Sequence, residues 1–139
     1  MDLSYQIGTD VDCGMPMCCM NTTKMATDPA KAAGDWGAYK CDLTRWTADD
    51  MLKHIAEAHS DEVSPLFHWQ NSIADDTELL QNFEYIMLTG DSPAHDIWLQ
   101  SKDYNLYTTK VYVDMVKKHF PDKKVIFSLG NHDSFPVNS

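Results

Sequence analysis

The chain has no apolar run near the ~20 residues that a membrane-spanning helix requires. Its first residues, Met1-Asp2-Leu3-Ser4-Tyr5, carry neither the basic region nor the apolar stretch of a signal peptide. Positive charge is scarce: 11 Lys and Arg stand against 21 Asp and Glu, for a formal net charge of −10. A surface of that sign repels a phosphate backbone, so nucleic acid is excluded as the expected partner. Cysteine is confined to four positions in the first third of the sequence. The rest of the composition is ordinary, with 43% hydrophobic and 23% charged residues in a chain of 139. That is one domain at most, long enough to bury a core.

Against this background two short blocks stand out. Thr89-Gly90-Asp91-Ser92-Pro93-Ala94-His95-Asp96 follows the apolar run Tyr85-Ile86-Met87-Leu88, and Gly130-Asn131-His132-Asp133 follows Val125-Ile126-Phe127-Ser128-Leu129. Each run has strand character and each ends in a glycine that lets the backbone turn sharply, with a hard-ligand side chain (Asp91, Asn131) directly after it. The segment between reads as a helix. A strand, a crossover helix and a second strand make a βαβ unit, whose handedness brings both strand ends to one sheet edge, where ligands collect in open α/β sheets. Asp91, His95, Asn131 and His132 are therefore expected in one small volume. A carboxylate, an amide oxygen and free histidines there suit metal-assisted hydrolysis, in which a histidine protonates a leaving oxygen.

The flanking segments read as support. Cys18 and Cys19 are adjacent, too close to pair comfortably, which leaves Cys13–Cys18 with Cys19–Cys41 or Cys13–Cys19 with Cys18–Cys41. The stretch they close is rich in turn residues and has little core of its own, the kind that disulfides staple, and its cysteines lack the two-plus-two spacing of a zinc ribbon. Asn21-Thr22-Thr23 is a glycosylation sequon. Asp10-Val11-Asp12 reads as a turn. A helix is expected over 47–59, capped by Thr47, with Met51, Leu52, Ile55 and Ala58 on its buried face and His54 and His59 at the surface or boundary. Residues 60–82 fit no clear pattern beyond a short helix over 74–82. The crossover helix should bury Leu106, Val113, Val116 and Phe120, widened by Tyr107, Val111 and Met115, and stop at Pro121. Lys117 and Lys118 lie in its last turn, where cations complement the helix dipole.

The Gly-Asp and Gly-Asn-His blocks resemble the calcineurin-like metallophosphoesterases. In their longer form, Thr89 to Trp98 and Gly130 to Asn138, they are similar to acid sphingomyelinase and the acid sphingomyelinase-like phosphodiesterases. The resemblance implies an α/β fold, part of a metallophosphoesterase sandwich, with a cysteine-rich segment over 1–46 and a partial catalytic domain over 47–139. It favours the pairing Cys13–Cys18 with Cys19–Cys41. Trp36-Gly37-Ala38-Tyr39 matches a string that precedes the last cysteine of the cluster, and its aromatics are expected to pack over the disulfides. In an intact enzyme two zinc ions would share Asp91 and one would bind Asn131, while His132 and His95 contact phosphate and protonate the leaving oxygen of a sphingomyelin-like lipid. A secreted or lysosomal location and a glycan on Asn21 are implied with it. The family's earlier Asp-x-His block and later Gly-His-x-His block are not in this sequence, so the chain is expected to be an internal fragment that is inactive alone. A non-catalytic binding module, or a hydrolase of nucleotides or phosphomonoesters, is the alternative.

Overall fold

In the computed structural model residues 1–59 and 84–138 are described, so the unpatterned segment, with its expected helix over 74–82, lies outside the described residues. The βαβ unit is present. Strand β1, Tyr85–Leu88, pairs in parallel with β2, Lys124–Phe127, in the register Tyr85 to Lys124 through Leu88 to Phe127. Helix α2, Lys102–His119, makes the crossover. The ladder continues past the strands through Ser128 N–H, which donates to Leu88 C=O at 2.8 Å. Both carboxyl ends therefore open on the same edge. Together with α1 (Arg45–Ala58) this is a mixed α/β structure whose sheet, among the described residues, has two strands.

Helix α1 begins two residues earlier than expected. Thr44, not Thr47, is the N-cap: its hydroxyl accepts from Thr47 N–H, and Thr47 Oγ1 turns instead to Trp36 C=O at 2.7 Å. The buried stripe also differs from expectation, because packing and not the start of the helix decides which face is covered. Ala48 and Leu52 are buried, with Ala56 packed beside them, whereas Met51, Ile55 and Ala58 are exposed. Ala48 and Leu52 meet Leu88 of β1, Met115 and Val116 of α2 and Phe120 at its C-cap in one core, and Ile86, Val125 and Phe127 close it from the sheet. At the far end Asp49 of α1 takes Lys118 and His119 of α2 at 2.9 and 2.7 Å. This holds the carboxyl of Asp49 below its usual range, through its bonds first to Lys118 and then to His119.

The stripe on α2 holds in its second half for Val111, Met115, Val116 and Phe120. Val113 is only half-buried and outside the core, its place taken by Tyr112, and the first half of the stripe is wrong. Leu106 and Tyr107 are 60% and 57% exposed, and the buried positions there are Asn105 and Thr108. The reason is what packs on each half. The C-terminal half meets the apolar core, while Asn105 meets the polar loops at the sheet edge, donating to His132 C=O and Ser134 C=O at 3.1 Å each.

The N-terminal segment has a single turn of 3-10 helix, Pro29–Lys31, and is otherwise held by isolated bridges (Tyr5 to Met20, Thr9 to Met25, Asp10 to Ala32) and by two disulfides. The disulfides are Cys13–Cys18 and Cys19–Cys41, with Cα atoms 5.8 and 6.0 Å apart. The Asp10 carboxylate accepts from Asp12 N–H at 2.8 Å, a turn as expected. Trp36 and Tyr39 do not cover the disulfides. They are 63% and 104% exposed, on a loop closed by the Gly34–Gly37 bridge, and the ring buried with Cys18 and Cys19 is that of Tyr5. Tyr5 is fixed there by its hydroxyl, which donates to Gly34 C=O at 2.8 Å, and by the edge of Trp46.

Asp2 and Asp96 are buried acids. Burial raises both above the usual carboxylate range, and each charge raises it further: Asp2 acts on Asp96, and Asp42 acts on both. One oxygen of Asp96 has no hydrogen-bond partner.

Two outcomes follow from this packing. Leu52→Ala should cost about 2–5 kcal/mol in urea unfolding, as a buried leucine does, while Leu106→Ala should stay within about 0.5 kcal/mol. A carboxyl whose pKa is raised by folding binds more protons in the native state, so its contribution falls as pH climbs from the unfolded pKa through the folded one. Asp96→Asn should therefore gain stability over wild type as pH rises from 4 to 7, with the gap closing below the unfolded value.

Candidate functional site at the carboxyl edge of the sheet

The first loop leaves β1 through two successive residues in the left-handed region, Gly90 at φ 88° and Asp91 at φ 57°. Asp tolerates this better than most side chains because of its short polar group. The turn brings Gly90 against the second loop so closely that a Cβ there would overlap the Gly130 backbone, and a Cβ on Gly130 would overlap the Asp91 carboxylate. Both glycines are thus required by the approach of two backbones.

What joins the loops is a reciprocal exchange of carboxylates. Asp91 Oδ1 accepts from His132 N–H at 2.9 Å. In return the Asp133 carboxylate accepts from Asp91 N–H at 2.7 Å, from Ser92 N–H at 3.1 Å and from Gly130 N–H at 2.7 Å. Hydrogen bonds to a charged acceptor are the stronger kind. Further supports reach in from outside. Gln100 donates to Ala94 C=O at 2.6 Å, and the Met1 ammonium donates to Ser92 C=O at 2.8 Å.

The rings of His95 and His132 meet edge to face, centroids 4.7 Å apart. His95 is mostly exposed and is gripped by Asp42, which accepts its backbone N–H at 2.6 Å and lies 2.8 Å from its ring Nδ1. His132 is half-buried, and its Nδ1 is buried without a hydrogen-bond partner. Asp91, His95 and His132 are thus brought together. Asn131 directly precedes His132 in the second loop and is exposed, with its C=O accepting from Asn138 N–H at 3.1 Å. Asn21 is exposed in the disulfide segment.

Asp42, Asp133 and Asn105 were missed by the sequence reading. Asp133 stood within a quoted block, and its place one residue after His132 was the available signal. Asp42 and Asn105 carry no local signal.

The zinc expectation can be tested on the donor set. Zinc takes three or four protein ligands drawn from His, Cys and Asp or Glu. Among the described residues no group of three or more such side chains converges to hold a metal ion. Asp91 offers one carboxylate already engaged by His132 N–H, Asn131 is a neutral amide, and the His95 Nδ1 faces Asp42. These residues do not complete a zinc site by themselves.

Asp133→Ala should leave three backbone donors without their acceptor. The expected loss is at least about 2 kcal/mol by urea unfolding, since a bond to a charged group is worth ~1.5–3 kcal/mol. Hydrogen exchange should quicken at the amides of Asp91, Ser92 and Gly130 ahead of the helical ones.

No protein-family model matches the chain. Individual relatives do. It is 32% identical over 140 residues to sphingomyelin phosphodiesterase B of Dictyostelium discoideum, covering 100% of this chain and 19% of that protein. It is 32% identical over 139 residues to the sphingomyelin phosphodiesterase of Homo sapiens, covering 99% of this chain and 18% of that protein. Sphingomyelin phosphodiesterase 1 of Caenorhabditis elegans matches at 29% over 140 residues. The chain spans about a fifth of the length of these relatives. From end to end the chain is acid sphingomyelinase-like, a relative of the sphingomyelin phosphodiesterases.

Proposed function

We propose that this chain forms part of the active centre of a phosphodiesterase that hydrolyses a sphingomyelin-like lipid to ceramide and phosphocholine. The observation that carries the reading is the meeting of His95 and His132 at the carboxyl ends of two paired parallel strands, beside Asp91. An anionic diester placed against the two rings would find hydrogen-bond donors, and one histidine can return a proton to the leaving oxygen. Asp91 and Asn131 would contribute two ligands to a zinc centre whose other ligands lie outside the described residues. Bound there, zinc would supply charge stabilisation and an activated water. The similarity to sphingomyelin phosphodiesterases supports the substrate class. The disulfides support a secreted or lysosomal setting, with Asn21 glycosylated. No helix of the described residues is long and apolar enough to cross a membrane.

Among the described residues the donor set is incomplete, so the purified protein with added zinc should turn over neither sphingomyelin nor a chromogenic phosphodiester. The positive test places this chain in the human sphingomyelin phosphodiesterase in exchange for the matching segment. The chimera should hydrolyse sphingomyelin, and His132→Ala should keep its zinc content while lowering kcat by about 10²–10⁴-fold. A folded chimera with full zinc and no turnover would sink the reading, as would a His132→Ala variant of undiminished rate.

A further inference from the structure

The cysteine-rich segment reaches the sheet edge at Met1, which holds Ser92 C=O, and at Asp42, which directly follows Cys41 and holds His95. The Asp42 side chain is only 14% exposed, against 67% for the histidine it holds. We propose that Asp42 is the positioning residue of His95, fixing the ring as the Nδ1–H tautomer and presenting Nε2 to the phosphodiester. The proposal deepens the reading given above and rests on it for the identity of the substrate.

The argument is one of donor and acceptor capacity. An ionised carboxylate only accepts hydrogen bonds. Oδ2 takes the backbone N–H of His95 at 2.6 Å and Oδ1 lies 2.8 Å from Nδ1, so the ring proton must sit on Nδ1. In a histidine, the partner of one nitrogen decides the state of the other. Nε2, across the ring from Nδ1, is then the nitrogen that can take up a proton and, once protonated, donate it to the leaving oxygen of a bound diester. The double grip matters as much as the tautomer. Because the two oxygens hold main chain and ring of the same residue, the backbone bond keeps Asp42 beside the ring, and the ring cannot swing away without breaking its bond to Oδ1. On the other side the edge-to-face contact with His132 limits its rotation. The anchor is itself pinned, since Cys41 is tied to Cys19, which is fully buried. A mostly exposed histidine on a loop is thereby held from a disulfide-bonded segment 53 positions away in sequence.

Asparagine at position 42 separates the effects. It keeps the shape, but it replaces one accepting oxygen with an NH₂ donor. If that NH₂ faces the ring, Nδ1 must become the acceptor and the proton moves to Nε2. If it faces the backbone, the N–H of His95 loses its acceptor.

The experiment is long-range proton–nitrogen correlation of the histidine rings in the full chain, labelled with nitrogen-15, at a pH where free imidazole is neutral. Wild type should show His95 as the Nδ1–H tautomer, and Asp42→Asn should either convert it to Nε2–H or expose the His95 amide to fast exchange. A wild-type ring in the Nε2–H form would overturn the proposal. So would an unaltered ring and amide in a folded Asp42→Asn protein. If Asp42→Asn loses the folded spectrum altogether, Asp42 is structural and the positioning role is refuted. The second arm is kinetic. In the chimera with the human enzyme, Asp42→Asn should lower kcat about 10²-fold with KM little changed, the lower end of what a positioned proton transfer contributes. An unchanged kcat beside the expected tautomer change would refute the catalytic consequence. An inactive parent chimera would count against the phosphodiesterase reading instead, with the ring spectra still deciding the tautomer.

Discussion

Two carboxylates exchanged between two loops hold this site in shape. Asp91 reaches into the second loop and Asp133 reaches back into the first, so neither loop has a defined path without the other. The exchange is possible only because Gly90 and Gly130 let the backbones come closer than any side chain would allow. Everything functional hangs from that seam. It sets where His132 stands relative to His95, and it leaves Asp91 in a backbone conformation that most residues avoid.

Around the seam the supports come from three directions. The parallel strands supply the edge, α2 supplies Asn105 from below the second loop, and the disulfide segment supplies Asp42 from the side. Among the described residues the apolar core lies on one face of the sheet. On the other face Tyr85, Met87 and Ile126 remain exposed, an unusual state for a parallel sheet, which is normally covered on both sides. The buried acids Asp2 and Asp96 sit close to the supports of the site rather than in the core, so part of the cost of the arrangement is electrostatic.

The βαβ unit was legible because its cues are local: an apolar run, a glycine, a helical period and a proline stop. The meeting of His95 with His132 was legible one step further on, through the fixed handedness of the crossover. The cysteine pairing followed from resemblance and not from spacing, which had left two choices open. What could not be read depended on partners far along the chain. Asn105 looks like the solvent face of a helix until the loops it meets are known, and Leu106 and Tyr107 look like core for the same reason. The cap of α1 was misjudged because two threonines three apart both suit it, and the Trp36 carbonyl drew Thr47 away. Trp36 and Tyr39 show that aromatic residues beside a disulfide need not cover it when another ring, here Tyr5, already fills the space.

The clamp on His95 bears on how the molecule acquires its site. The bonds that define it span 53 positions to Asp42 and 41 or 42 across the seam, whereas the helices form from contacts four residues apart. Loop closure over such spans must precede the reward, so non-local contacts form slowly compared with local ones. The helices can therefore be complete while the reactive edge is still unassembled. Docking of the N-terminal segment becomes the step at which a folded chain turns into one with an ordered histidine pair.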